Sequence, residues 1–142
     1  MNKLRQELKN AFGRVFLTIE VDKDNKWVHV DWRGYLTVDN IQTGAKAYTA
    51  ALEEAGFCCV LNDTRLVLGT WAHSLDWVLN EWAPNAASAG LKHFAMIATP
   101  ETLAESTATD FYASLTAFEA QVFEDIEDAR NWLRQFSLHS VD

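Results

Sequence analysis

Two runs near the start of the chain alternate apolar and polar residues. VFLTIEV (15–21) and KWVHVDW (26–32) are rich in β-branched and aromatic residues, and Asp22-Lys23-Asp24-Asn25 between them predicts the turn of an antiparallel hairpin. Val15, Leu17, Ile19 and Val21 fall on one face, as do Val28, Val30 and Trp32. The opposite face mixes Phe16, Thr18, Glu20, Trp27, His29 and Asp31, so it is expected to stay partly wet or to be covered by a partner.

After Gly34 the period lengthens to that of a helix. Ile41, Ala45, Tyr48 and Leu52 form one stripe, with Thr37 or Asp39 as N-cap and Gly56 as the stop. FCCVLN (57–62) is continuously apolar, as expected of a strand buried on both faces. A helix is predicted from about Thr70 to Trp82, with Trp71, Leu75, Val78, Leu79 and Trp82 inward, Trp77 off the stripe and Pro84 just beyond. LKHFAMIA (91–98) is the next strand. Thr99-Pro100-Glu101 reads as a cap, with a restart near Thr107 and an apolar face of Phe111, Leu115 and Phe118. AQVFE (120–124) is a short last strand. Asp125 with Asp128 opens a final helix whose Ile126, Ala129, Trp132, Leu133 and Phe136 face inward. Residues 2–12 stay open, since Leu4, Leu8 and Ala11 suit a helix whereas Phe12-Gly13-Arg14 suits a hairpin turn, and the tail after Ser137 is expected to fray.

This order predicts a single α/β domain over residues 1–142: a mostly parallel, mixed sheet of about five strands, wound as a right-handed βα superhelix with an antiparallel first strand. A chain of 142 residues supports one core of ordinary size. Its composition, 49% hydrophobic and 23% charged, leaves no segment with the signature of disorder.

Charge narrows the function classes. The net charge is -8, and residues beyond 34 hold five Lys/Arg against fifteen Asp/Glu, which opposes both a phosphate-tracking surface and an anionic membrane. No apolar run approaches the ~20 residues that span a bilayer, and MNKLRQELKNAFG lacks the apolar middle of a secretory signal, so the cytoplasm is expected. The adjacent Cys58 and Cys59 are expected to point to opposite faces of a strand, as two reduced core residues. His29, His73, His93 and His139 show no metal-ligand spacing, and no phosphate-binding glycine loop or nucleophile elbow occurs; neither metal nor cofactor is expected, nor an enzyme.

The stretch CCVLNDTRLVLGTW (58–71) holds the candidate chemistry. In such a sheet ligands and partners meet the carboxyl ends of the parallel strands, which would gather Asp63, Arg65, Thr70 and Trp71 with Arg33-Gly34-Tyr35 and Thr99 on one rim. His73 and Trp77 follow on the next helix. Thr70 suits a helix cap or a phosphorylated hydroxyl, and Asp63 with Arg65 suits a local ion pair. Trp77 calls for cover, from this chain or from a partner protein. The mixed hairpin face leaves homodimerisation open.

Trp32-x-Gly34, LND ending on Asp63, WVLNEWAP (77–84), Gly90-Leu91-Lys92 with Ala95, Phe123, and Ala129-x-x-Trp132-Leu133 are similar in order and spacing to the bacterial STAS-like proteins. More narrowly they resemble the small SpoIIAA-like group, which is linked in fold to the CRAL-TRIO lipid-binding domains. The resemblance runs from about Gly13 to Leu133. It implies a non-catalytic regulatory domain that binds a protein, since STAS domains of the anti-sigma-antagonist type bind a kinase and are phosphorylated on a hydroxyl at the start of the second helix. Thr70 is the nearest positional match, although Leu66-Val67-Leu68-Gly69-Thr70 stands where that group carries Asp-Ser-(Ser/Thr)-Gly. The CRAL-TRIO likeness implies the alternative of a carrier for a small apolar ligand or lipid.

Overall fold

The computed structural model describes residues 4–138; the expected fraying of the tail and His139 lie largely or wholly outside that range. Six strands form one sheet in chain order: β1 (Arg5–Lys9), β2 (Val15–Asp22), β3 (Trp27–Gly34), β4 (Cys59–Val67), β5 (His93–Ile97) and β6 (Glu119–Phe123). β1, β2 and β3 pair antiparallel, and β3 to β6 pair parallel. Within the described part of the ambiguous N-terminal segment, Arg5–Lys9 is an added edge strand, joined to β2 by a turn in which Gly13 takes a positive φ.

Helix α1 (Val38–Ala55) starts at Thr37, which exchanges hydrogen bonds with Asn40 in a capping box, and stops at left-handed Gly56. It packs on one face of the sheet with the tryptophan-rich segment (72–88) and α4 (Leu103–Ser114), around Trp32, Tyr48, Val60, Trp82, Phe94 and Phe111. Helix α5 (Ile126–Ser137) covers the other face, where Ala129 and Leu133 meet Trp27, Leu61, Ala95 and Ile97. Strands buried on both sides follow, as the apolar runs required.

Several local readings are corrected. Phe16 lies in the main core, because a bulge opposite Leu8 and Lys9 breaks the alternation, and Trp27 is buried under α5. Their place on the mixed face is therefore taken within this chain. The predicted helix 70–82 is a 3-10 turn (Ala72–Ser74), a short helix α2 (Leu75–Trp77), a π turn (Val78–Trp82) and α3 (Ala83–Ser88) in succession. It runs through Pro84. Proline has no N–H and its ring crowds the carbonyl four residues back, and the wider π turn, in which the Ala83 N–H reaches the Val78 carbonyl, accommodates both. α4 is capped by Thr102, which accepts from the Glu105 N–H at 3.1 Å, and Thr107 sits inside it rather than restarting it. Cys58 precedes β4 instead of alternating within it, so the two sulfurs lie 3.7 Å apart; burial raises the pKa of the Cys59 thiol and keeps it protonated.

Candidate functional site

β4 runs on past Leu61, through Asn62-Asp63-Thr64-Arg65, to Val67. These polar residues stay in the sheet because each finds a partner distant in sequence or close at hand. Asn62 Oδ1 accepts from Trp32 Nε1 at 2.8 Å, and Thr64 Oγ1 donates to the Ile97 carbonyl at 2.8 Å. Arg65 clamps Asp63 through Nε and a terminal nitrogen, the shorter contact 2.7 Å, which raises the already high pKa of the guanidinium.

Alternation then divides the predicted rim. Asp63 follows Cys59 and Leu61 onto the α5 face, 6% exposed and beside Asp31 of β3. Thr70, Trp71, His73 and Trp77 belong to the other face. Thr70 Oγ1 accepts from the Ala72 N–H at 3.0 Å and meets Thr107 Oγ1 at 3.1 Å. Trp71 is 7% exposed in the main core; His73 Nε2 lies 3.0 Å from the Leu36 carbonyl; Trp77 is half-buried against the core. The sheet separates Asp63 and Arg65 from the other four.

On the α5 side, His29, Asp31, Asp63 and Arg65 form a polar cluster on β3 and β4. His29 Nε2 and Asp31 Oδ1 are buried without hydrogen-bond partners. Burial lowers the His29 pKa from the usual 6.5, outweighing the carboxylates of Asp63, Asp31 and Glu20, which pull it up; Arg130 also pushes it down. As pH falls through 6.5, the unfolded chain therefore binds a proton that the folded chain still refuses, and stability falls until the lower folded pKa is passed. Replacing His29→Gln is expected to flatten this loss, read as the difference between two denaturation series across that window; parallel curves would show that His29 does not contribute. Among the described residues no group of His, Cys, Asp and Glu could hold a metal ion.

On the helical side a cavity of about 50 Å³ opens between β3, β4, α1 and the π turn. Six aromatic residues, Trp32, Tyr48, Trp71, Trp82, Phe94 and Phe111, are among those that line it. Burial alone raises the Tyr48 pKa well above the ordinary phenol value, so the hydroxyl stays neutral.

The rim also carries side chains in the open. Phe12 in the β1–β2 turn is 89% exposed and Tyr35 after β3 is 75% exposed; with Leu68 they line a surface groove edged by Arg14 and Arg33. Arg33-Gly34-Tyr35 was placed on the rim by topology, whereas Phe12 and Leu68 were missed. Their signal was a large apolar residue inside a turn, where no core stripe claims it.

A family profile for SpoIIAA-like proteins matches residues 27–134. The chain belongs to the SpoIIAA-like family. A solved structure of similar fold is that of an uncharacterized protein from Shewanella loihica PV-4, of the DUF3478 family with a SpoIIAA-like fold. The two share 22% identity at a TM-score of 0.54, covering 94% of this chain and 98% of that one. No curated protein matches the chain. Among the described residues no helix of this SpoIIAA-like domain is long and apolar enough to cross a membrane.

Proposed function

We propose that this SpoIIAA-like domain is a non-catalytic cytoplasmic module that binds a partner protein at the carboxyl edge of its sheet. The observation that carries the reading is the exposed apolar groove of Phe12, Tyr35 and Leu68 at that edge. Large rings held in water are unfavourable unless something covers them, and arginines at the margin suit an interface whose centre is aromatic. Asp63 and Trp71 support the edge from within, because both are buried. Thr70 is the hydroxyl that would be modified in a phosphorylation switch, and a phosphate there has first to release the Thr107 contact.

The test is quantitative cross-linking with mass spectrometry in native extract, comparing the wild-type chain with a Tyr35→Asp, Leu68→Asp double variant of unchanged circular dichroism. A partner captured by the wild type and reduced about tenfold or more by the variant is expected, as for loss of an interface anchor. Equal capture by both proteins would remove the groove from the reading.

The cavity favours a second reading, a small apolar ligand held between the sheet and the helices. At about 50 Å³ it has no room for an acyl chain, so this reading is narrower than lipid carriage.

A further inference from the structure

β1 is one edge of the sheet, and among the described residues no strand pairs with its outer side. Such an edge offers its free N–H and C=O groups to any chain that can match them. Which groups are free follows from the ladder with β2. The Val21 N–H donates to the Leu4 carbonyl at 2.8 Å, so these two residues form a hydrogen-bonded pair of the antiparallel ladder. Counting on by twos, Gln6 and Leu8 also turn their backbone groups toward β2, whereas Arg5 and Glu7 turn theirs outward. The side chains divide in the same way. Leu4, Gln6 and Leu8 take the face of Leu17 and Ile19, and Arg5 and Glu7 take the face of Thr18 and Glu20. Arg5 pairs with Glu20 at 3.0 Å and with Glu7 at 3.4 Å, and all three stay about half exposed.

Two copies related by a two-fold axis join such edges antiparallel, and outward groups have to meet outward groups. Few registers satisfy this, and charge decides among them. With the axis at Arg5, this arginine faces the partner's Arg5; with the axis at Glu7, carboxylate faces carboxylate and Arg5 faces the partner's Lys9. An axis at Leu8 carries the pairing across the bulge between Leu8 and Lys9, where the ladder is already irregular. An axis at Gln6 avoids both faults. Arg5 then stands opposite the partner's Glu7, Glu7 opposite the partner's Arg5, and the pairing stops short of Lys9. On the other face Leu4, 49% exposed, comes opposite the partner's Leu8, a residue that packs against the main core.

From this pattern we infer that two copies of the chain associate through antiparallel pairing of their β1 strands, with the two-fold axis at Gln6, so that two sheets join into one. Two short edges bury less than the ~1,600 Å² of a standard interface, so the dimer is weak and forms as concentration rises.

Sedimentation velocity over a concentration series into the millimolar range tests this with the wild type, Glu7→Arg, Arg5→Glu and an equimolar mixture of the two variants. The wild type is expected to shift from monomer to dimer across the series. Each variant alone places like charges opposite one another at both positions, and its dimerisation should weaken by about tenfold or more. In the mixture one chain presents arginine at both positions and the other glutamate at both, so association should return to the wild-type strength. A variant whose β1 had only come loose would not regain it. A wild type that stays monomeric throughout, dimers of equal strength in all samples, or a mixture no stronger than its components would each overturn the inference.

Discussion

Replacing Trp82→Ala should lower the stability of this domain by about 4 kcal/mol, within the range for truncating a buried aromatic side chain. The indole is 3% exposed and is the ring that joins the aromatic layer together. It meets Tyr48, Phe94 and Phe118 at centroid separations of 5.7, 5.4 and 5.6 Å, and its N–H is paired with Thr49 of α1. Truncation removes those contacts and leaves the Thr49 hydroxyl without its donor. In a domain of this size the loss corresponds to a fall in Tm of roughly 15 °C. Chemical denaturation of wild type, Trp82→Phe and Trp82→Ala gives the comparison, with the phenylalanine variant expected between the others. A cost below about 1 kcal/mol for the alanine variant would mean that the layer is not packed as described.

The same ring shows where local pattern was informative. Trp82 fell on the inward stripe with Trp71 and Val78, and all three line the core. α1 and α5 were legible because caps and stripe agree within each segment: Thr37 and Gly56 for one, Asp125 with Ala129 and Leu133 for the other. The helix stop was misread at Pro84, since proline marks a break only while the backbone keeps the α pattern, and the π turn changes that pattern.

Long-range partners explain the other misreadings. Asn62-Asp63-Thr64-Arg65 has the composition of a loop, yet Trp32 and the Ile97 carbonyl satisfy Asn62 and Thr64 from neighbouring strands. Nothing within ten residues announces those partners. The candidate site suffered in the same way. Topology correctly brought the ends of β3 and β4 to one edge, but it does not tell which face each side chain takes once β4 continues through Asp63. Because the strand runs on, Asp63 is carried to the α5 side while the chain from Thr70 folds back over the helical side. The cavity was not readable at all, since it is the space left between α1, β3, β4 and the π turn after each has packed.

Gly44→Val is expected to cost about 3 kcal/mol, the upper part of the range for overpacking a filled core. Gly44 lies in the middle of α1, where glycine is ordinarily unfavourable by up to about 1 kcal/mol, so something other than helix propensity holds it there. The reason is proximity. A Cβ at this position would stand 2.6 Å from the tip of the Trp32 ring and 2.7 Å from Leu17 Cδ2, both closer than carbon atoms pack. Trp32 cannot simply swing aside, because its Nε1 is fixed to Asn62 and its ring meets Tyr48 edge-on at 6.3 Å. Bringing α1 this close to β3 also forms one wall of the cavity, which Trp32, Ala45 and Tyr48 all line. Gly44→Ala separates the two effects: improved helix propensity favours it, the short contacts oppose it, and a net cost of about 1–2 kcal/mol is expected. Denaturant titrations of the two variants measure the balance, and an alanine variant more stable than wild type would show that the helix has room to sit farther from the sheet.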